Sequence, residues 1–355
     1  PPDRPPREPS SRRLPPRARL RQARLDTHIS VFELRGFAES LVAEVEKTYW
    51  DCVLTERQLD IYRESLRLAE EQLKETTERI RVGKLPEIEA AAAEAEVSLR
   101  RESLINAESA WATACLRLIR LLQPPGGDAW SRGLRLEDRP AVPLDVLDSV
   151  DNHVALALQR RPDINQAQLA LQRGELEVVK TRNGLLPRLD LFIALGRTGY
   201  ADSFADAVNA RDGEATHTTV GVRLDYSILN WGAKAGYCRA LLSRQQGEEA
   251  LRNVRQLAEA DVRMAYIEAR RATAQVAATA ATRRLQEAKL HAETEKFRVG
   301  KSTSLLVAQA QRDLLESQVA EIQAVVKALQ ARVELYRLEG SLLDRRGVSV
   351  PTDAP

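Results

Sequence analysis

Aromatic residues make up only 5% of the 355 positions, and there is a single methionine. That scarcity excludes a broad globular core of bulky side chains and points instead to narrow seams between helices, of the coiled-coil kind. No stretch approaches the ~18 consecutive apolar residues of a transmembrane helix, so any membrane contact has to come by another route. The three cysteines, Cys52, Cys115 and Cys238, are far apart and form no C-x-x-C pattern; helix packing accounts for them. His28, His153, His217 and His291 never fall within metal-ligand spacing of one another or of a cysteine. There is no nucleophile elbow, no phosphate-cradling glycine loop and no paired acid and base. No catalytic site, cofactor, metal or nucleic-acid partner is therefore expected.

Glycine and proline are missing where it matters most. Neither occurs in residues 37–82, 87–123, 248–299 or 302–339, so nothing in these four runs breaks an i to i−4 hydrogen-bond ladder. Four long helices follow; at 1.5 Å per residue the third reaches roughly 75 Å. Gly83 and Gly300 separate the runs in pairs, so each pair folds back on itself as a helical hairpin.

The two hairpins are copies. A shift of 217 residues lays Tyr49 on Tyr266, Leu68 on Leu285, Leu73 on Leu290 and Leu118 on Leu335, and it superposes Arg81-Val82-Gly83-Lys84 on Arg298-Val299-Gly300-Lys301 without a gap. The repeat is a whole supersecondary unit. Within the second copy, ten of the twenty-four residues from 258 to 281 are alanine, and Ala258, Ala265, Ala269 and Ala272 share a stripe that lets neighbouring helices approach closely.

The formal charge of +2 hides an asymmetry. Residues 1–24 carry eight arginines against Asp3 and Glu8, with seven prolines in the first sixteen positions, a composition expected to be disordered. Between the repeats, Pro124-Pro125-Gly126-Gly127 opens an irregular connector. A helix is expected to start near Arg161-Pro162-Asp163, where proline is tolerated and an acid favours the positive end of the dipole.

After that helix the period changes from 3.6 to 2. In residues 189–195 and 220–228, apolar side chains alternate with small or charged ones: Leu189, Leu191 and Ile193 in the first run, Val220, Val222, Leu224 and Tyr226 in the second, with Arg223 and Asp225 on the opposite face. Residues 196–219 read as an exposed polar loop. An isolated hairpin buries too little to be stable, so these strands need partners outside their own chain. Their length and two-faced pattern suit an outer-membrane barrel, and equally a half-buried hairpin in water.

Arg161-Pro162-Asp163, followed by Ala167, Leu171, Val178, Arg182 and Leu186-Pro187 leading into a strand, resembles the corresponding region of the TolC-type outer-membrane efflux protein family. Tyr226-Ser227-Ile228-Leu229-Asn230-Trp231-Gly232 is similar to that family's turn from barrel into helix, and the two Arg-Val-Gly-Lys tips resemble its periplasmic helical tips. The resemblance covers about residues 37–345. It implies a mainly α chain with two repeated antiparallel helical hairpins and a β-hairpin that joins an oligomeric transmembrane β-barrel. It also implies a homotrimer in outer-membrane lipid, its helices in the periplasm. Such a trimer is a passive exit duct that docks on a periplasmic adaptor protein and, through it, an inner-membrane pump. The resemblance further implies that the pump selects the substrate.

Carried over residue by residue, Val82, Gly83, Lys84, Val299, Gly300 and Lys301 are the expected adaptor-docking tips. Glu89 is the expected tunnel-entrance residue, though the second copy has Leu306 at the matching position. The expected organisation is a Pro/Arg-rich segment 1–29, disordered or wrongly assigned, a first hairpin 30–123, a connector 124–159, a helix 160–187, a membrane hairpin 188–229, a second hairpin 230–345 and a tail 346–355. Family members carry a strand pair before each helical hairpin. Here only one alternating pair is seen, and an N-terminal part with the other pair and an export signal is expected to be missing. The competing expectation is a soluble coiled-coil scaffold with an accessory β-hairpin.

Overall fold

The structure is a computed structural model that describes residues 15–83, 85–123, 130, 133–142, 147–198 and 215–349. Its order is α1 (Pro15–Arg81), α2 (Ile88–Leu122), α3 (Val150–Arg160), α4 (Pro162–Asn183), β1 (Arg188–Thr198), β2 (Ala215–Asp225), α5 (Trp231–Arg298), α6 (Ser304–Leu338) and the short α7 (Leu342–Arg345). The fold is mainly α, with two repeated helical hairpins and one β-hairpin, as the breaker-free runs and the change of period require. It divides into two compact units, Pro1–Ser30 with Gln166–Asn253, and Val31–Asn165 with Val254–Pro355.

Three boundaries differ from expectation. Helix α1 starts at Pro15, inside the segment expected to lack structure as far as residue 29. Proline is tolerated in a first helical turn, and the Arg, Ala, Leu and Gln that follow are good helix formers, so local propensity overrides the composition. Helix α3 lies inside the expected connector. Ser149 caps it, the side chain accepting from the Asn152 amide at 3.4 Å. The helix expected from 160 to 187 is interrupted at its start, because Arg161 has an extended ψ of 123° and only Pro162 begins α4. A residue before proline is pushed out of the helical region.

In the larger unit, ion pairs and hydrogen bonds fix the helix directions. Arg101 with Glu70 (3.3 Å) ties α2 antiparallel to α1, and Lys289 with Asp313 (2.7 Å) and Arg283 with Glu321 (2.6 Å) tie α6 antiparallel to α5. Gln330 donates to Asp51 at 2.7 Å and to the Lys47 carbonyl at 3.1 Å, joining α6 to α1. The repeat itself is visible in space. Arg79 stacks over Phe297 (4.8 Å), Glu89 meets Ser304 and Arg312 meets Glu96 (3.9 Å), contacts that link residues 218, 215 and 216 apart. The copies therefore lie side by side, in step, at close to the 217-residue shift.

The core is thin and small-residue rich. Val154 and Ala157 of α3 pack against Val262, Ala265 and Ala269 of α5 and Leu335 of α6. Ala258, Ala265, Ala269 and Ala272 are all buried, so the predicted alanine stripe is a packing face. Ala43, Val333 and Leu342 form a second cluster, and Cys52, Ala114 and Leu118 a third, onto which Leu134 and Leu136 of the connector pack.

In the smaller unit, Arg173 of α4 pairs with Asp26 of α1 (2.8 Å), Gln22 donates to Glu177 (3.0 Å), and Leu171 approaches Gly247 of α5. The same unit holds the two-stranded sheet.

Candidate functional site

Strands β1 and β2 are 11 residues each and pair antiparallel from Arg188 opposite Asp225 to Thr198 opposite Ala215. Both reach further into the expected 196–219 loop than the alternation alone suggested, and residues 199–214 lie outside the described residues. The register places like with like. Leu189 faces Leu224, Leu191 faces Val222 and Ile193 faces Val220, while Asp190 faces Arg223 and Arg188 faces Asp225 on the other side. Because side chains alternate, one face is wholly aliphatic over these pairs and the other holds the charges.

The aliphatic face is bare: Leu189, Leu191, Ile193, Val220, Val222 and Leu224 are each between 63% and 71% exposed. Tyr226, expected in the second strand, follows its last residue and is also exposed. Exposed contiguous apolar surface of this kind marks a surface that another protein or a membrane covers. On the charged face, Arg188 pairs with Asp190 (2.8 Å), and Arg223 lies over the Phe192 ring (5.9 Å). That ring crosses the strand onto Gly221, where an added Cβ would sit 2.5 Å from Phe192 Cζ. With glycine there the phenyl ring can lie on the strand and cover the backbone it leaves bare; any larger residue would displace the ring.

The strands lead back into helix at Asn230, which adopts a left-handed φ of 40° before Trp231 opens α5. Asparagine tolerates that conformation better than other side chains with a Cβ. On the entry side, the Arg161-Pro162-Asp163 corner has a structural task. Arg161 binds Asp163 and Asp261 of α5, both at 2.9 Å, and Asp163 accepts from the Ile164 amide at 2.8 Å. Gly340 comes so close to this corner that an added Cβ would lie 3.1 Å from the Arg160 carbonyl group.

In the larger unit, Gly83 and Gly300 adopt φ of 72° and 74°, the left-handed region that ends a helix with least strain in glycine. A Cβ on either would meet nothing within 4 Å, so the requirement is conformational and both tips are open. Val82 and Val299 are 58% and 66% exposed. Lys301 is exposed, and Lys84 lies outside the described residues. Glu89, in the first turn of α2, accepts from the Ser304 hydroxyl at the start of α6, so the entrances to the two return helices touch.

A buried polar cluster escaped the sequence reading. His153 of α3 contacts Glu339, which is wholly buried and also engages Ser341 and Arg345 (3.2 Å). Burial alone would raise the Glu339 pKa; the hydrogen bonds from His153 and Ser341 outweigh it and hold the carboxyl below its ordinary range. Among the described residues no group of His, Cys, Asp and Glu could hold a metal ion, and no helix is long and apolar enough to cross a membrane.

A family model described as outer membrane efflux protein matches residues 16–122 and 154–341. The chain is 25% identical over 321 residues to the pyoverdine export outer membrane protein OpmQ of Pseudomonas aeruginosa, covering 87% of this chain and 64% of that one, so it spans just under two thirds of that relative's length. Among solved structures, the CmeC outer membrane channel of Campylobacter jejuni superposes with a TM-score of 0.79 at 18% identity, over 92% of this chain and 68% of that one. The outer-membrane channel OprN gives 0.79 at 20% identity, over 92% and 72%. These likenesses are of fold.

Proposed function

The chain belongs to the outer membrane efflux protein family, and on that premise we propose that it is the outer-membrane channel component of a tripartite efflux or type I export system. It acts as a passive duct across the periplasm, assembled as a homotrimer whose β-hairpins share one barrel in the outer membrane. The observation that carries this reading is the bare aliphatic face of β1 and β2. Six branched side chains exposed to water would be a severe aggregation liability, whereas facing lipid they stabilise insertion, and barrel closure satisfies the strand edges. A soluble scaffold leaves that face without a purpose.

The helical hairpins extend the duct into the periplasm, and their tips meet the adaptor. Val82, Gly83 and Lys84 form one contact and Val299, Gly300 and Lys301 the other, with Glu89 beside them at the tunnel entrance. What supports this assignment is the exposure of both valines and the open space around both glycines. Cargo is chosen upstream, by the pump; the similarity to a pyoverdine exporter makes small secreted molecules the first cargo to test.

The test is reconstitution in planar bilayers of trimers extracted from the outer membrane, together with photo-crosslinking from Val82 and Val299 in cells. Stepwise conductance, cation preference reduced by Glu89→Ala and crosslinks to a periplasmic partner are expected. Water-soluble monomer that conducts nothing would refute the reading.

A further inference from the structure

Cys52 of α1 and Cys115 of α2 meet across the first hairpin with their Sγ atoms 3.4 Å apart. Cys52 is completely buried and Cys115 half-buried. We propose that these two thiols are oxidised to a disulfide in the assembled protein, stapling α1 to α2. The proposal rests on the periplasmic placement of the hairpin given above, since that compartment is oxidising and the cytoplasm is not.

Three observations converge on it. First, a disulfide sulfur pair lies about 2.05 Å apart. Closing the present gap moves each sulfur by roughly 0.7 Å, which a modest rotation about χ1 supplies, without moving either backbone. Second, packing at these positions does not by itself require cysteine. The matching positions in the second copy are Ala269 and Arg332, so the repeat tolerates a residue with no sulfur at one position and a long cation at the other. Third, the pair is symmetrically placed. Cys52 is 31 residues before Gly83 and Cys115 is 32 residues after it, so a bond between them would close one covalent loop around the whole tip and hold the two helices in register.

The chemistry is two successive exchanges with a disulfide-bearing oxidant of the thiol–disulfide oxidoreductase class. The more accessible Cys115 gives up its proton and attacks as a thiolate, forming a mixed disulfide and releasing one oxidant sulfur as a thiolate. Cys52 then loses its proton to water or to that leaving thiolate and attacks Cys115 Sγ, expelling the second oxidant sulfur. Two thiols lose two electrons and two protons; the oxidant disulfide gains both and leaves as a dithiol. Burial pushes the Cys52 thiol up to about 12, which makes it a poor first nucleophile; in the second exchange the mixed disulfide offsets this by holding the target sulfur within contact distance. Leu134 and Leu136 pack over the site and shield the finished bond from exchange. Exposed Cys238 has no sulfur partner among the described residues and serves as an internal reference.

The experiment counts thiols. The full chain, isolated from the outer-membrane fraction with alkylation at lysis, is denatured with maleimide and weighed intact, with and without prior reduction. The expected result is one alkylated cysteine without reductant and three with it; C52S or C115S should give two alkylated cysteines in both cases. In parallel, the purified reduced chain, still folded in detergent, is equilibrated with glutathione and glutathione disulfide. Failure to form the intramolecular bond there, or a Cys238 mixed disulfide alone, overturns the proposal in any compartment. Oxidation in that buffer combined with three free thiols in the cell-derived protein upholds the pair and counts instead against the periplasmic placement. C238S retains the bond if the pairing is right.

Discussion

Replacing Glu39 by glutamine should stabilise the protein in alkaline but not in acidic solution. Glu39 lies on α1, is only 3% exposed, and has Arg35 as an ion-pair partner at a long 3.4 Å. Arg35 is shared with the Gly340 carbonyl and Asp344. Burial pushes the Glu39 pKa up to about 7 from an ordinary 4.5; Arg35 opposes the rise and Asp344 adds to it. The folded chain therefore keeps a proton that the unfolded chain releases. The stability this contributes is fully present below 4.5 and is lost as pH rises through 7. At about 1.4 kcal/mol per pH unit, the interval between those values corresponds to a cost of about 3 kcal/mol once the carboxylate is forced to ionise. Glutamine copies the neutral acid in shape and leaves Arg35 its other two acceptors. Denaturant midpoints of the two proteins in one detergent, read by helical circular dichroism, should coincide near pH 4.5 and diverge by about 2–3 kcal/mol in favour of E39Q by pH 8.5, with equal slopes. A difference that does not vary with pH, or a less stable variant at pH 8.5, would show that the Arg35 pair outweighs burial and would refute the reasoning.

Glu334 should behave in the opposite sense. Burial raises its pKa, but hydrogen bonds from Arg337 (2.5 Å) and Lys47 overcome that and hold it at about 2, so its contribution is present above 4.5 and lost as pH falls through 2. E334Q should therefore cost about 1–3 kcal/mol at pH 7, and the same pH series should show that loss shrinking in acid. Leu191→Arg puts a charge on the aliphatic face and should deplete the protein from the outer-membrane fraction, at a cost of about 2–4 kcal/mol per chain if it sits near the midplane, while Arg223→Gln on the opposite face should not. Equal recovery of both would sink the lipid-facing assignment. Gly221→Val drives a side chain into the Phe192 ring and should lower the heat stability of the assembled form by about 1–3 kcal/mol; combining it with Phe192→Ala should restore part of the loss, and strictly additive effects would mean the two do not meet.

Long helices were legible because two residue types were missing from them, and Gly83 and Gly300 were legible as tips because each ends such a run at the same place in its copy. Alternation at Leu189, Leu191 and Ile193 revealed a strand, but not its end. Gly196 and Thr216 break the apolar pattern without breaking the ladder, so β1 and β2 run on into what composition marks as loop. Proline misled at the start of α1 for a related reason: two adjacent prolines signal disorder in bulk and a first turn in context. Ser149 and Asp151 are a readable cap for α3, obscured by the loop-rich stretch ahead of them. The His153–Glu339 contact could not be read at all, since it depends on how α3 lands on the end of α6. The Cys52–Cys115 encounter could have been. In a hairpin that turns at Gly83, residues equally far before and after the turn face one another, and that count places the two sulfurs together.

The duplicated tip changes what kind of ligand this chain is. Arg-Val-Gly-Lys occurs twice, and the contact between Glu89 and Ser304 keeps the two occurrences adjacent. On the proposed docking, a partner would meet a divalent surface on every chain, and three chains would offer six valences. Linked weak sites gain through effective concentration, by factors on the order of 10²–10⁴, without any single contact becoming tight. Assembly on such a surface would depend sharply on how many tips are engaged, and release would need only a few of them to let go.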